Sequence, residues 1–373
     1  SIISVVTIFL IWGSFTGSNL IPSFLHMPGP FVGETSFDFE ATDSTGKTDD
    51  GTVSIVVHTV DDPKDAPEVE EDTTGIADNV AVKMAAWRSA LISSNDLLNK
   101  DLGTDVKVTS VNGEPVDAGD IVNIGTGTLR VTDKGSLSFE PNKGWQMEEI
   151  WLPAPESVVS RLIEISQEGY QNVTLAENLG WSQYRVLLGF ILGSLVGIPL
   201  GYAMGLNSWF RGWFDPIVEF MRPVPPLALI PLVIIWFGIW ETGKISLLFL
   251  AALWIMTIAA RAGVSGVGIS KVHAAYSLGA SKWQLLTKVI VPNSLPEIFT
   301  GARVAMGVCW GTVVAAELVA AEKGAGKMII AASKFQNTDI VLMGIILIGI
   351  IGYSIDILMR QAENYLIPWK GKG

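Results

Sequence analysis

Few residues in this chain are of a type and spacing that could do chemistry, and those few are scattered. Glu317 is the one carboxylate inside a long apolar run, Val304–Ala321. A carboxylate held in hydrocarbon costs about 2.5–3.5 kcal/mol on insertion scales, so it needs a partner cation or a water-filled path. Glu317 therefore either lines a path or ties helices together by hydrogen bonding, and we favour the path. The stretch Glu322-Lys-Gly-Ala-Gly-Lys327 gathers glycines and lysines as a phosphate-binding loop does, but it lacks the required spacing and the Ser or Thr after the lysine. No other nucleotide-binding motif is present, so no catalytic residue is assigned and this chain is not expected to hydrolyse ATP. His26, His58 and His273 are too dispersed to suggest a zinc site. Asp61, Asp62, Asp65, Glu70, Glu71 and Asp72 offer the oxygen ligands that calcium prefers. A solvated acidic linker explains them better, and no metal site is assigned. Cys309, the single cysteine, sits among apolar residues with no basic neighbour to stabilise a thiolate, and reads as packing.

The surrounding elements are more informative. Hydrophobic residues make up 49% of 373 and charged residues only 17%, with mean hydropathy +0.40. Six segments approach the roughly 20 apolar residues of a membrane span: Ser1–Thr16, Val186–Leu206, Pro223–Trp240, Ile245–Ala260, Val304–Ala321 and Ile340–Ile355. The first lacks a basic leader and a small-residue cleavage site, so it reads as a retained anchor covering residues 1–21. Short loops bearing Arg211 and Arg222, then Arg261, Lys271, Lys282, Lys288 and Arg303, then a tail with Arg360, Lys370 and Lys372, place those regions in the cytoplasm. Both termini are then cytoplasmic, and residues 22–180 face outward. Arg222 with Pro223, Pro225, Pro226 and Pro231 opens the third segment. Proline removes a backbone donor and breaks helices, so this stretch is a hinge or gate on one reading and helix packing at a dimer core on the other.

Charge divides the chain. Between Pro22 and Ile150 there are 24 acidic and 9 basic residues, against 13 and 16 elsewhere. An acidic block of this kind argues against nucleic-acid binding. Within it, Phe37–Ala41, Gly51–Val60, Val106–Val111, Asp120–Ile124, Thr128–Thr132 and Ser136–Phe139 alternate apolar and polar residues and are separated by Gly, Asn, Asp and Pro. Short strands so spaced predict a sandwich. Val106-Lys-Val-Thr-Ser-Val-Asn-Gly113 and Gly135-Ser-Leu-Ser-Phe-Glu-Pro-Asn-Lys-Gly-Trp145 resemble a bacterial cadherin-like repeat. Phe37–Gly46 and Val60–Pro63 resemble the closing strands of such a repeat, but here they come first. The resemblance implies one circularly permuted Ig/cadherin-like sandwich over residues 34–145, inserted into a periplasmic loop. After it, Val158, Leu162 and Ile165 recur at helical spacing and predict a short amphipathic helix.

The run from Gly266 to Pro296 carries the functional signal. It contains His273-Ala-Ala-Tyr-Ser-Leu-Gly279-Ala-Ser-Lys-Trp-Gln-Leu-Leu-Thr-Lys-Val289-Ile-Val-Pro292. Small residues at Ala274, Ala275, Gly279 and Ala280 let a partner backbone come close. A rigid helix there would transmit a partner's movement to the spans. An amphipathic helix resting on headgroups would also suit Trp283, Lys282 and Lys288.

The same run resembles the cytoplasmic loop of ABC-importer permeases, in which Glu-Ala-Ala, three residues, Gly, nine residues and Ile-x-Leu-Pro recur. Ala274, Ala275, Gly279 and Pro292 match, Val289 and Val291 are similar, and His273 and not Glu stands first. Phe214–Gly238, Ala315–Ala320, Thr338–Leu342 and Pro368-Trp369 extend the resemblance over about Leu152–Lys372, towards the nitrate, sulfonate and taurine group. It implies a type I ABC importer permease in residues 151–373, with six transmembrane helices and a coupling loop at 266–296. It implies taurine as cargo, with other sulfonates, nitrate or bicarbonate as alternatives. The implied partners are two ABC ATPase subunits holding ATP and Mg, a periplasmic substrate-binding protein, a second copy of the chain, and the lipid bilayer. A membrane-anchored adhesion or sensor protein would explain the sandwich but not the coupling loop. A secondary transporter would need more intramembrane ionisable groups and inverted repeats.

Overall fold

The computed structural model describes residues 2–59, 62–69, 75–99 and 105–369. Val60, Asp61, Glu70, Glu71, Asp72, Lys370 and Lys372 of the readings above lie outside them. The chain forms two compact units, Ser1–Glu156 and Ser157–Gly373.

The first unit opens with α1 (Ile2–Thr16), followed by β1 (Gly33–Thr42), β2 (Thr48–His58), β3 (Val80–Ala85), β4 (Ala90–Ile92), the single turn α2 (Ser94–Leu97), β5 (Lys107–Val111), β6 (Glu114–Pro115), β7 (Ile121–Asn123), β8 (Gly127–Val131) and β9 (Leu137–Pro141). One sheet has the order β3-β2-β1-β5-β6 and the other β4-β9-β8-β7. β1 and β2 form a hairpin whose turn is closed by Asp43 and Lys47. β3 runs parallel to β2, so the chain crosses over between them. Alternation puts Phe37, Phe39, Val53 and Ile55 of the first sheet into one core with Leu129, Leu137 and Phe139 of the second. β3, β4 and β6 are not among the predicted strands: β3 reads Val-Ala-Val-Lys-Met-Ala, whose single polar residue shows no alternation, and β4 and β6 have only three and two residues. The two ends of the β region meet: the Phe31 N–H donates to the Asn142 carbonyl at 2.8 Å and that of Trp145 to Pro28 at 2.7 Å.

The second unit is helical: α3 (Pro155–Glu168), α4 (Leu175–Leu206), α5 (Ser208–Met221), a 3₁₀ turn (Pro226–Leu229), α6 (Ile230–Phe237), α7 (Glu241–Ser265), α8 (Ile269–Ser277), α9 (Lys282–Leu285), a π turn (Leu286–Ile290), α10 (Val291–Ala320), α11 (Ala325–Lys334) and α12 (Thr338–Leu366). Val158 and Ile165 are the buried face of α3.

The expectation of six full spans needs correction. Among the described residues, four helices are long and apolar enough to cross a membrane: Leu175–Leu206, Glu241–Ser265, the run Lys282–Val319, and Thr338–Leu366. α1 is an apolar helix over its 15 described residues. The third segment is not one helix: Ser208–Met221 and Pro226–Phe237 meet at 92° and make at most one broken span. The prolines are the reason. Pro225 is extended at φ −67°, ψ 132°, the conformation imposed on a residue that precedes proline, and Pro226 and Pro231 lack donors for a continuous helix. A fifth-segment helix expected from Val304 begins earlier, within the continuous run Lys282–Val319, where the π turn Leu286–Ile290 precedes Pro292.

α4 and α7 pack most closely of all. Gly189, Gly193, Gly197, Gly201 and Gly205 recur every four residues along one face of α4. A Cβ on Gly193 would lie 2.6 Å from that of Ala252, and one on Gly197 2.7 Å from the Leu253 carbonyl. Without side chains the backbones touch, which gives helices in lipid their attraction by close packing. The fold is that of a polytopic helical membrane protein.

Candidate functional site

The run Gly266–Pro296 folds as a helical lever. α8 ends in a Schellman motif: the Ala280 N–H donates to the Ala275 carbonyl at 3.0 Å and that of Gly279 to Tyr276 at 2.9 Å. Gly279 takes φ +79°, a left-handed conformation that costs a side chain-bearing residue energy. Ser281 then starts α9 with a capping box. Its Oγ accepts from the Gln284 N–H at 3.3 Å, and its own N–H donates to Gln284 Oε1 at 2.9 Å. α9, the π turn and α10 run on as one apolar helix into the bilayer-spanning region.

This lever has two faces. Val272, Ala275, Leu285, Leu286 and Ile290 pack against Tyr202 of α4 and Val264 of α7. Lys271 Nζ donates to Asn293 Oδ1 at 2.7 Å, Tyr202 and Ser294 share a hydrogen bond, and Trp369 Nε1 donates to the Pro292 carbonyl at 3.2 Å. The other face is open. His273, Ala274, Gly279 and Lys282 are exposed, Ala280 and Pro292 are half-buried, and Leu278 and Trp283 are 89% and 71% exposed. Leu278 and Trp283 thus give an exposed apolar surface beside a C-cap that fixes their direction.

Arg222, Pro225 and Pro226 come together at the 92° bend. Arg222 caps α5 through its N–H to the Val218 carbonyl, and its side chain lies 3.7 Å from Glu219. Beside it, Arg261 of α7 pairs with Asp215 of α5. The bend is thus held to α7 by an ion pair on one side and by no charge at Arg222 itself beyond its own helix.

Glu317 lies far from both places, in a closed polar cluster. Arg185 of α4 donates from Nη1 to Glu317 Oε1 at 2.7 Å, and from Nε and Nη2 to both oxygens of Glu241 at 2.6 and 2.8 Å. Lys244 also donates to Glu241, at 2.8 Å. Two cations and two anions balance. The carboxylate of Glu317 further accepts from Ser182 Oγ at 2.8 Å and the Gly326 N–H at 3.0 Å. The Gly-Ala-Gly stretch set aside above as a phosphate loop has its amides taken by the protein itself. Gly324 donates to Asn178, Ala325 to Ser182 and Gly326 to Glu317. Buried ions need such full partnership, since removing one partner leaves a bare charge. The cluster joins α4, α7, α10 and the start of α11, and Glu317 faces no opening within this chain.

Sequence reasoning found Glu317 and missed Arg185, Glu241 and Lys244. All three stand just outside the apolar limits drawn for their spans, and a charge at each of three span ends was the available signal. The glycine row of α4 was missed as well, although its four-residue period is plain in the sequence. Among the described residues no group of three or more His, Cys, Asp or Glu is placed to hold a metal. The geometry suits transmission of movement along the continuous run from α9 into α10.

The comparisons agree. Residues 176–365 match the family described as binding-protein-dependent transport system inner membrane component. The taurine transport system permease protein TauC of Escherichia coli (strain K12) is 46% identical over 60% of this chain and 82% of its own length. The putative aliphatic sulfonates transport permease protein SsuC of the same organism is 38% identical over 61% and 84%. The nitrate import permease protein NrtB of Synechococcus elongatus is 29% identical over 58% and 81%. A matched family over this span leaves no place for the adhesion, sensor or secondary-transporter readings of the chain as a whole. The chain belongs to the family of inner membrane components of binding-protein-dependent transport systems, as the permease subunit of an ABC importer.

Proposed function

We propose that the importer carries taurine. The observation that carries this reading is the order of the relatives: identity falls from 46% for the taurine permease to 38% for the sulfonate permease and 29% for the nitrate permease, at similar coverage. Other sulfonates are the second reading, and nitrate or bicarbonate the third. Two copies of the chain pair in the lipid bilayer, with the solute path between them. ATP and Mg are held by two ATPase subunits that seat on the open face of α8 and α9, at His273, Ala274, Gly279, Ala280 and Lys282, with Ala275 packed behind it. No cofactor is assigned to this chain itself. The bend at Arg222, Pro225 and Pro226 is the flexible element on the path.

The basic loops put the α8–α9 face and both termini in the cytoplasm, and residues 22–180 in the periplasm. The β unit is then an extracytoplasmic insert of cadherin-like type, circularly permuted. The joined ends of its β region support insertion. A periplasmic binding protein delivers the cargo and sets most of its selection.

The test is ATPase activity in proteoliposomes holding this chain, its ATPase partner and its binding protein. Taurine-loaded binding protein should stimulate hydrolysis. Stimulation by another loaded ligand alone would remove taurine, and failure of the chain to assemble with any ATPase would sink the coupling assignment.

A further inference from the structure

We propose that residues 17–32 and 142–152 form an apolar collar that inserts into the outer leaflet of the bilayer and anchors the β region to the lipid surface. This rests on the reading of α1 as a membrane-embedded helix and on the outward placement of residues 22–180.

Exposed large apolar side chains are unevenly placed in the first unit. Between Gly33 and Pro141, among the described residues, they are Leu91 and Ile121 alone. The two short stretches that flank the β region hold Phe24, Trp151 and Trp145 at 81%, 75% and 74% exposure, and leave Leu20 and Met147 exposed as well. A concentration of this kind marks a contact with protein or membrane.

The backbone fixes where the collar stands. The last turn of a helix leaves carbonyls without partners inside the helix. At the end of α1 the Met27 N–H donates to the Ser14 carbonyl at 3.0 Å, and the Met147 N–H to the Phe15 carbonyl at 2.8 Å. Trp12 of α1 donates from Nε1 to the Pro153 carbonyl at 2.9 Å. The two stretches are also tied to each other: the Trp145 N–H meets the Pro28 carbonyl at 2.7 Å, and Gln146 Nε2 donates to the Met27 carbonyl at 2.8 Å. Gly144 allows the close approach. It takes φ +65°, and a Cβ there would collide with the Gly29 carbonyl oxygen. The collar is therefore held at the level where α1 ends.

Continuity with α1 selects lipid as the occupant. Ile3, Val5, Ile8 and Ile11 are exposed apolar residues of α1, and the collar extends that surface from the helix end. Tryptophan suits the headgroup level, where its ring meets acyl chains and its N–H meets water. Charge cannot supply the hold. Pro22–Ile150 carries 24 acidic against 9 basic residues, which anionic headgroups repel. Apolar insertion is the force left to this surface.

The test uses the full chain with its ATPase partner in nanodiscs of phosphatidylethanolamine and phosphatidylglycerol. Cys309 is buried, so a nitroxide can be placed on one introduced cysteine at a time. Phe24→Cys, Trp145→Cys and Trp151→Cys probe the collar, Ile8→Cys probes α1, and Ile121→Cys probes the β region. All five positions are at least 66% exposed, so the changes remove little packing. Collisions with oxygen, which dissolves in acyl chains, are compared with those of a water-soluble nickel chelate. The oxygen-to-nickel ratio should be about tenfold higher at the three collar positions than at Ile121. Nickel access at the collar equal to that at Ile121, with Ile8 still in lipid, overturns the collar alone. Nickel access at Ile8 as well overturns the membrane placement of α1, and the collar with it. Shielding of the collar labels from both reagents would put protein there in place of lipid, and overturns the proposal too.

Discussion

Arg185 and Glu317 meet at 2.7 Å, with side chains 1% and 0% exposed. Ser182 and the amide of Gly326 complete the shell around Glu317, and Arg185 also binds Glu241, whose side chain is 40% exposed. The arrangement makes the outer limits of α4, α7 and α10 into one body.

Loss of one partner should be costly. Arg185→Met is expected to destabilise the protein by about 3–5 kcal/mol, because it leaves Glu317 buried and bare. Arg185→Met with Glu317→Met should be less harmful than the single change, since both charges then disappear together. Thermal unfolding in detergent measures the difference. A loss in the double variant equal to the sum of the Arg185→Met and Glu317→Met losses would show that the pair is not coupled.

The glycine row gives a second prediction. Gly193→Leu puts a side chain where a Cβ alone would sit 2.6 Å from Ala252. Overpacking of this kind costs about 1–3 kcal/mol or more, and folded yield should fall sharply. Gly212→Ala is the control: it lies within α5 with nothing within 4 Å of a Cβ, and replacing an unneeded helix glycine should add up to about 1 kcal/mol. Equal folded yields for the two variants would remove the close α4–α7 contact as a source of stability.

These two features show where sequence reading succeeds and where it stops. Long β-branched alternation exposed β1 and β2, and twenty spaced positions exposed the Gly266–Pro296 lever, because both patterns repeat locally. Glu317 was visible as a charge in the wrong company, but its partner lies 132 residues away on another helix, and no local pattern encodes that pairing. The third segment misled for a physical reason: hydropathy sums side chains and ignores the backbone donors that prolines remove. β3 escaped notice because a parallel neighbour brings it order that six residues do not display alone.

Gly279 and Leu278 separate folding from coupling. Gly279→Val forces a β-branched residue to φ +79°, at a cost of about 1–3 kcal/mol, and should unseat the turn between α8 and α9. Leu278→Asp removes little within the chain, since the side chain is 89% exposed, and should change stability by no more than about 0.5 kcal/mol. It should still weaken co-purification of the ATPase at least tenfold, because a charge would enter an apolar seat. Undiminished co-purification with Leu278→Asp would move the docking face elsewhere.

The β region of the first unit should be dispensable for coupling. Its strands build one core from both sheets, and its ends are bonded to each other through Phe31 and Asn142. A short Gly-Ser linker can therefore replace Val32–Pro141 without stretching the flanking chain. The shortened protein should retain ATPase stimulation in proteoliposomes to within about twofold, and the excised segment should unfold cooperatively in urea as small single-core domains do. Loss of stimulation in a shortened protein that still assembles with its ATPase would assign the β region to capture of the binding protein. Retained stimulation would leave its work to contacts outside the transport cycle, because neither its core nor its joined ends depend on the helices that move.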